Sequence, residues 1–239
     1  MKILILQHIP IESPGYIKDL MLKDGLELTT IELDEGEKIP NNLNNFDAMF
    51  CMGGPMDTWM ENEYPWLIEE KKKIKEFVIE LKKPFLGFCL GCQLLGEAVG
   101  GKVVKSKIPE IGILDVNMEN KKNRDKLFSS FPDKLKVLQW HSYEVEGLEN
   151  NKNITLLASS DTTKYQIFKY QDHAYGIQFH IEIKDNTVNE WSCVPEYKNA
   201  LEQSLGEGAL DLFENQAAKN IVDFNNYSTI LYKNFINQF

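Results

Sequence analysis

The sequence predicts an α/β fold: an open, mostly parallel sheet flanked by helices. Three observations predict it. The N-terminal half alternates short apolar runs with longer stretches of helical periodicity, the pattern of parallel strands joined by crossover helices. The first of these runs, Ile3-Leu4-Ile5-Leu6, is continuously apolar, as expected of a strand buried on both faces. The 239 residues carry no internal repeat and no Gly/Ser- or Pro-rich linker. The chain is therefore expected to form a single domain over 1–239, with a helical C-terminal extension from about residue 187.

The elements follow in order. Residues 2–7, 26–33 and 46–52 read as the first three strands, with an Asn-rich loop over 40–45. Gly53-Gly54-Pro55 then breaks the chain. Residues 66–81 read as a helix with Leu67, Ile74, Phe77, Val78 and Leu81 on one side. Its other side carries Glu69, Glu70, Lys71, Lys72, Lys73 and Lys75, which reads as a solvated face laced with ion pairs. Residues 84–88 form a fourth strand, and 90–99 a helix closed by Gly100-Gly101. Six short strands follow at 102–104, 111–116, 136–139, 154–158, 165–169 and 174–179. Two helices finish the chain, near 187–205 and 209–239; the last has Leu210, Phe213, Ala217, Ile221 and Phe224 at spacings of three and four. On open α/β sheets, ligands bind at the carboxyl ends of the strands.

Composition excludes several classes. Lys and Arg number 26 against 36 Asp and Glu, a net charge of −10. That balance argues against nucleic acid as a main partner, since phosphate binding needs a basic face. Hydrophobic residues make up 43%, too many for a disordered chain. No apolar run approaches the roughly 20 residues of a membrane-spanning helix, and Gln7-His8 cut the opening run short. The reading is a cytosolic protein that works neither on nor in a membrane. Cys51, Cys89, Cys92 and Cys193 are irregularly spaced, so reduced thiols are expected, and a notable one is a nucleophile, a redox group or a metal ligand.

Gly87-Phe88-Cys89-Leu90-Gly91 follows a buried strand and opens a helix. It is the cysteine counterpart of the Gly-x-Ser-x-Gly elbow. The nucleophile of such a turn has a strained backbone, and side chains two residues either side would collide. The helix aims its free N–H groups and positive end at the sulfur, which favours the thiolate. The Leu90 N–H faces an oxyanion formed beside Cys89. The same residues also permit a buried structural cysteine. Cys89-Leu90-Gly91-Cys92 is in addition a Cys-x-x-Cys, open to redox chemistry and weakly to zinc.

A thiolate needs an acid/base partner. Of His8, His141, His173 and His180, the last ends a strand, with Glu182 two residues on. In extended backbone both point to one side, so Glu182 could hold one imidazole nitrogen while the other faces Cys89. His8 reads as a wall residue and His173 as an exposed turn residue. His141 reads as either pocket lining or packing. Gly53-Gly54 after the third strand lets a backbone N–H approach a substrate oxygen. The Gly54 N–H is the candidate second oxyanion donor, with a plain turn before Pro55 as the alternative.

Together these pieces resemble the class I (triad) glutamine amidotransferases over most of residues 1–190. The resemblance rests on Gly53-Gly54-Pro55, on Gly87-Phe88-Cys89-Leu90-Gly91-Cys92-Gln93, and on Gly176-Ile177-Gln178-Phe179-His180-Ile181-Glu182. Gln7-His8-Ile9-Pro10, Trp140-His141-Ser142 and the helical extension look most like free-standing members related to the glutaminase domain of GMP synthase. The resemblance implies a flavodoxin-like three-layer fold and a catalytic set of Cys89, His180 and Glu182, with Gly54 and Leu90 as the oxyanion hole. It implies that Gln93 contacts the glutamyl part of the substrate and that backbone around His141, Ser142 and Tyr143 fixes its α-amino and carboxylate ends. No metal or organic cofactor is implied. The family usually has proline between the His and the Glu; Ile181 stands there here.

The implied reaction is hydrolysis of the glutamine side-chain amide through a glutamyl thioester. The chain has no Ser-Gly-Gly-x-Asp-Ser pyrophosphatase loop. Gly96 to Val103 mimics part of a phosphate loop but reads as a helix stop. Two enzyme readings stay open: ammonia passes to a separate synthetase, or the chain acts alone as a γ-glutamyl hydrolase or peptidase. A catalytically silent binding protein is the reading from another class.

Overall fold

A computed structural model describes residues 1–120 and 122–239. The elements are β1 (Lys2–Gln7), α1 (Gly15–Lys23), β2 (Glu27–Glu32), β3 (Ala48–Cys51), α2 (Trp66–Lys75), β4 (Phe85–Phe88), α3 (Leu90–Ala98), β5 (Lys102–Met118) and β6 (Lys134–Glu146). They continue with β7 (Ile154–Ser159), β8 (Ile167–Tyr170), β9 (Ala174–Ile177), α4 (Thr187–Ser192), α5 (Pro195–Leu205) and α6 (Ala209–Gln238). The strands form one sheet in the order β2-β1-β3-β4-β9-β8-β7-β5-β6. The first five run parallel, and the rest pair antiparallel. α1 and α2 lie between early strands, whereas among the described residues no α-helix lies between β5 and β9, and connections without a crossover helix favour antiparallel neighbours.

Burial follows the strand pattern. In β1, Ile3 and Ile5 pack into a core with α1, α4, α5 and α6, through Ile17, Met21, Trp191, Leu201 and Phe224. Leu4 and Leu6 point the other way, into a core with Leu67, Ile74, Phe77 and Val78 of the α2 segment and Leu94 and Leu95 of α3. Successive side chains thus feed opposite faces of the sheet, giving three layers: helices, sheet, helices.

Several expectations are corrected. The reading of the sequence places no element between the first two strands; α1 stands there, a nine-residue helix that buries the stripe of Ile17 and Met21. The helix over 66–81 ends in a wider π turn at Glu76–Glu80. The strands expected at 102–104 and 111–116 are one strand, β5, whose pairing with β6 shifts register between Lys105 and Glu110, where Pro109 has no N–H for the ladder. The helix expected over 187–205 is two, because Val194 is extended before Pro195.

Candidate active site

Cys89, His180 and Gly53-Gly54 all lie just past the carboxyl ends of parallel strands β4, β9 and β3. The Cys89 backbone sits at φ 48°, ψ −104° immediately before α3. Such a conformation strains any residue with a Cβ, and neighbouring contacts hold it. The Cys89 N–H donates to the Ile177 carbonyl at 2.8 Å, and its carbonyl accepts from the Gln93 N–H at 3.0 Å. The flanking glycines are sterically required. A Cβ on Gly87 would lie 2.4 Å from the Gly91 oxygen, and one on Gly91 would lie 2.1 Å from the Cys51 oxygen. The Gly91 N–H donates to the Met52 carbonyl at 3.1 Å, stitching the cysteine turn to the Gly53-Gly54 turn.

His180 is fixed from two sides. Its N–H and carbonyl pair with Leu138 of β6 at 2.8 and 3.2 Å. Its Nδ1 lies 2.7 Å from Glu182 Oε1, and the Trp191 ring packs edge-on against it at 4.6 Å. Burial opposes a charge on this ring. The Glu182 carboxylate and a hydrogen bond with the Cys89 sulfur outweigh it, so the His180 pKa stands well above the ordinary histidine value. The sequence-predicted set of Cys89, His180 and Glu182 is therefore brought together. Ile181, where the family usually has proline, donates its N–H to Glu182 Oε2 at 2.9 Å, an aiming contact that proline cannot make. The Glu182 carbonyl accepts from the Tyr16 N–H at 2.6 Å, and Ser228 of α6 donates to the Ile181 carbonyl at 2.7 Å. The helical extension thus buttresses this segment.

A cavity of about 240 Å³ opens beside the sulfur. Gly54, Leu90, Gln93, His141, Ser142 and Tyr143 all line it together with Cys89. Gln93 Nε2 donates to the Tyr143 carbonyl at 3.2 Å. His141 Nδ1 lies 2.9 Å from the same carbonyl, and its Nε2 lies 3.1 Å from Glu110 Oε2. His141 both lines the pocket and anchors it. It stands inside the long strand β6, not at a strand end. Hydrogen bonds from His141 and Thr162 outweigh the cost of burial at Glu110 and hold its carboxyl down at about 2, so this anchor stays ionised.

Three readings of single residues are corrected. His173 is buried, with Nε2 2.9 Å from the Val78 carbonyl. Glu70 and Lys73 are buried within the run read as a solvated face. Glu70 reaches His8 at 2.9 Å, and Lys73 reaches the Asn41 carbonyl and Glu76. A one-dimensional charge run does not reveal which members lean under the sheet edge.

Other site neighbours escape a reading of the sequence. Glu12 is buried beside Gly53 and His180, and Tyr197 of α5 donates to its Oε1. Burial pushes the Glu12 carboxyl up, against the pull of His180 and Tyr197. Gln178 Nε2 lies 3.7 Å from the Cys89 sulfur. Only Gln178 falls within a quoted motif; Glu12, Trp191 and Tyr197 carry no local signal. Cys92 is fully buried and packs against Gly176, and burial pushes its thiol well up, which disfavours dithiol chemistry. Among the described residues, His8, Cys51 and Glu70 have the spacing of metal ligands, but His8 already uses both ring nitrogens in hydrogen bonds. No described helix is long and apolar enough to cross a membrane.

A family model described as glutamine amidotransferase class-I matches residues 16–190. The chain is 29% identical over 190 residues to YfeJ of Salmonella typhimurium, described as glutamine amidotransferase-like, covering 79% of this chain and 78% of that one. It is 31% identical over 175 residues to one subunit of the glutamine-hydrolyzing GMP synthase of Sulfolobus acidocaldarius, covering 71% and 86% respectively. The crystal structure of a glutamine amidotransferase from Thermotoga maritima superposes with a TM-score of 0.85 at 28% identity, over 98% of both chains.

Proposed function

The chain belongs to the class I glutamine amidotransferase family, and on that premise we propose that it hydrolyses the side-chain amide of glutamine, releasing ammonia and glutamate. One observation carries this reading: Cys89, His180 and Glu182 converge at the carboxyl edge of the parallel strands, beside a cavity of amino-acid size. The whole chain acts as one unit, since the C-terminal helices brace the His180–Glu182 segment.

With its proton already resting on His180, the Cys89 sulfur attacks the amide carbon. The N–H groups of Leu90 and Gly54 hold the tetrahedral oxyanion. Collapse breaks the C–N bond as His180 protonates the departing ammonia, leaving a glutamyl thioester. His180 then takes a proton from water as it attacks. The second collapse expels the sulfur, leaves that proton on His180 and frees glutamate. Glu182 holds the imidazole in orientation. Gln93 and the backbone of residues 141–143 seat the amino-acid portion. The chemistry draws on these groups and water alone, in a cytoplasmic protein with reduced thiols. The GMP synthase relatives are named as one subunit of a glutamine-hydrolyzing enzyme, which supports a separate synthetase as recipient of the ammonia.

The test is incubation of purified protein with glutamine and with a γ-glutamyl peptide, with and without cell extract, reading ammonia and free glutamate. Glutamine is expected to yield both products in equal amounts, and Cys89→Ala to yield neither while keeping its fold. Preference for the peptide moves the reading to a γ-glutamyl hydrolase. If wild type and Cys89→Ala match on every substrate, the protein is a silent binder.

A further inference from the structure

His8 follows β1 directly and is fully buried, yet it does not line the cavity beside Cys89. Its Nδ1 lies 2.8 Å from the Gly53 carbonyl oxygen and its Nε2 lies 2.9 Å from Glu70 Oε1. A carbonyl oxygen can only accept, so the hydrogen lies on Nδ1, which donates to Gly53. Of the groups facing the ring, Glu70 comes from α2 and Glu12 from the loop after β1. The Cys51 thiol donates to the same Glu70 oxygen at 3.4 Å, and the Trp66 ring stacks on His8 at 5.6 Å. Burial opposes the charge, but these carboxylates and the Gly53 carbonyl prevail and raise the His8 pKa.

The consequence lies in the next peptide. A trans peptide plane points its C=O and its N–H in opposite directions, and none of the described peptide bonds is cis. With the Gly53 oxygen drawn to His8, the Gly54 N–H emerges on the opposite side, where Gly54 lines the cavity with Cys89 and Leu90. A Gly-Gly peptide has no side chain to oppose rotation. Rotated, it would turn an oxygen lone pair toward the place where negative charge develops and leave a buried donor unpaired. We propose that the His8–Glu70 pair is a positioning device that locks the Gly53–Gly54 peptide, keeping the Gly54 N–H preformed as an oxyanion donor. The inference rests on the glutaminase reading and adds two residues to it that never touch substrate.

The experiment uses the full-length protein and two readouts. Glutamine turnover passes through an oxyanion. Alkylation of Cys89 by iodoacetamide is a displacement at a saturated carbon and does not. His8→Ala is expected to lower kcat on the order of 10- to 100-fold, short of the loss from deleting a donor outright. KM and the alkylation rate should stay near wild type. His8→Asn, whose amide nitrogen reaches the place of Nδ1, should recover part of the loss. If His8→Ala fails to fold, Glu70→Gln decides: a smaller fall in kcat with alkylation unchanged supports the lock, and unchanged kcat overturns it. Wild-type kcat in His8→Ala, or alkylation falling in step with kcat, also overturns it. A wild type that turned over neither glutamine nor a γ-glutamyl peptide would remove the glutaminase reading, and the lock with it. An active wild type with an indifferent His8→Ala removes the lock alone.

Discussion

The backbone of Cys89 offers a measurement of how much stability the elbow gives up. At φ 48°, ψ −104°, a side chain of any kind is strained by about 1–3 kcal/mol. Cys89→Ala keeps the Cβ and therefore the strain. Cys89→Gly removes it, against a cost of about 0.5–1 kcal/mol for the extra freedom of glycine in the unfolded chain. The two variants lack the same thiol, so their difference isolates the backbone. Cys89→Gly should be the more stable by about 1 kcal/mol, reaching about 2 at the upper end of the strain range. For a chain of this size that is a rise of roughly 2–4 °C in Tm per kcal/mol. Urea unfolding of both variants followed by fluorescence, with equal m-values, measures it. A glycine variant less stable than the alanine variant, the ordinary order for Ala and Gly, would refute the claim that the elbow stores strain.

Two further outcomes are expected. On the proposed roles, with Glu182 orienting and His180 carrying the proton, Glu182→Gln should retain at least tenfold more glutaminase activity than His180→Ala, on the order of the spread between orienter and base in other triads; equal kcat values in steady-state assays would contradict these roles. Asp57, in the pocket lining, has its carboxyl pushed up to about 6 by burial. A folded-state pKa above the ordinary 3.8 means that the charged form costs stability. The cost is full above pH 6 and fades as pH falls toward the unfolded value. Asp57→Asn should therefore stabilise the protein by about 1 kcal/mol at pH 8, after allowance for solvent screening, and hardly at all at pH 4. Thermal melts across that range check it, and a pH-independent difference would count against the assignment.

Legibility in the sequence tracks locality. β1 is readable with its bounds, since a run of four apolar residues between Lys2 and Gln7 needs no partner to be recognised. The elbow's glycines are readable in part: a Cβ on Gly87 would meet Gly91 four residues on, whereas one on Gly91 would meet Cys51, which only the fold brings near. The glycine pair before Pro55 suggests an approach to substrate but not what aims it, because His8 lies 45 residues away. Glu70 misleads for a related reason: it belongs to a run of charges whose other members mostly face water, and only α2 packed on the sheet turns it inward. The long strand β5 reads as two because its middle is polar and broken by Pro109, while pairing with β6 on both sides of the shift makes it one element.

By itself, then, the sequence determined the alternation of strands and helices, the nucleophile turn and the pairing of His180 with Glu182. Each depends on neighbours in the chain or on the period of a strand. Tertiary structure alone decided that His180 meets Cys89 and that Glu12, Trp191 and Tyr197 surround it. It also decided that His8 meets the Gly53 carbonyl and that Glu70 meets His8. The physical reason is distance along the chain. A buried charge is stable only where folding delivers its partners, and no local pattern records which distant segment arrives.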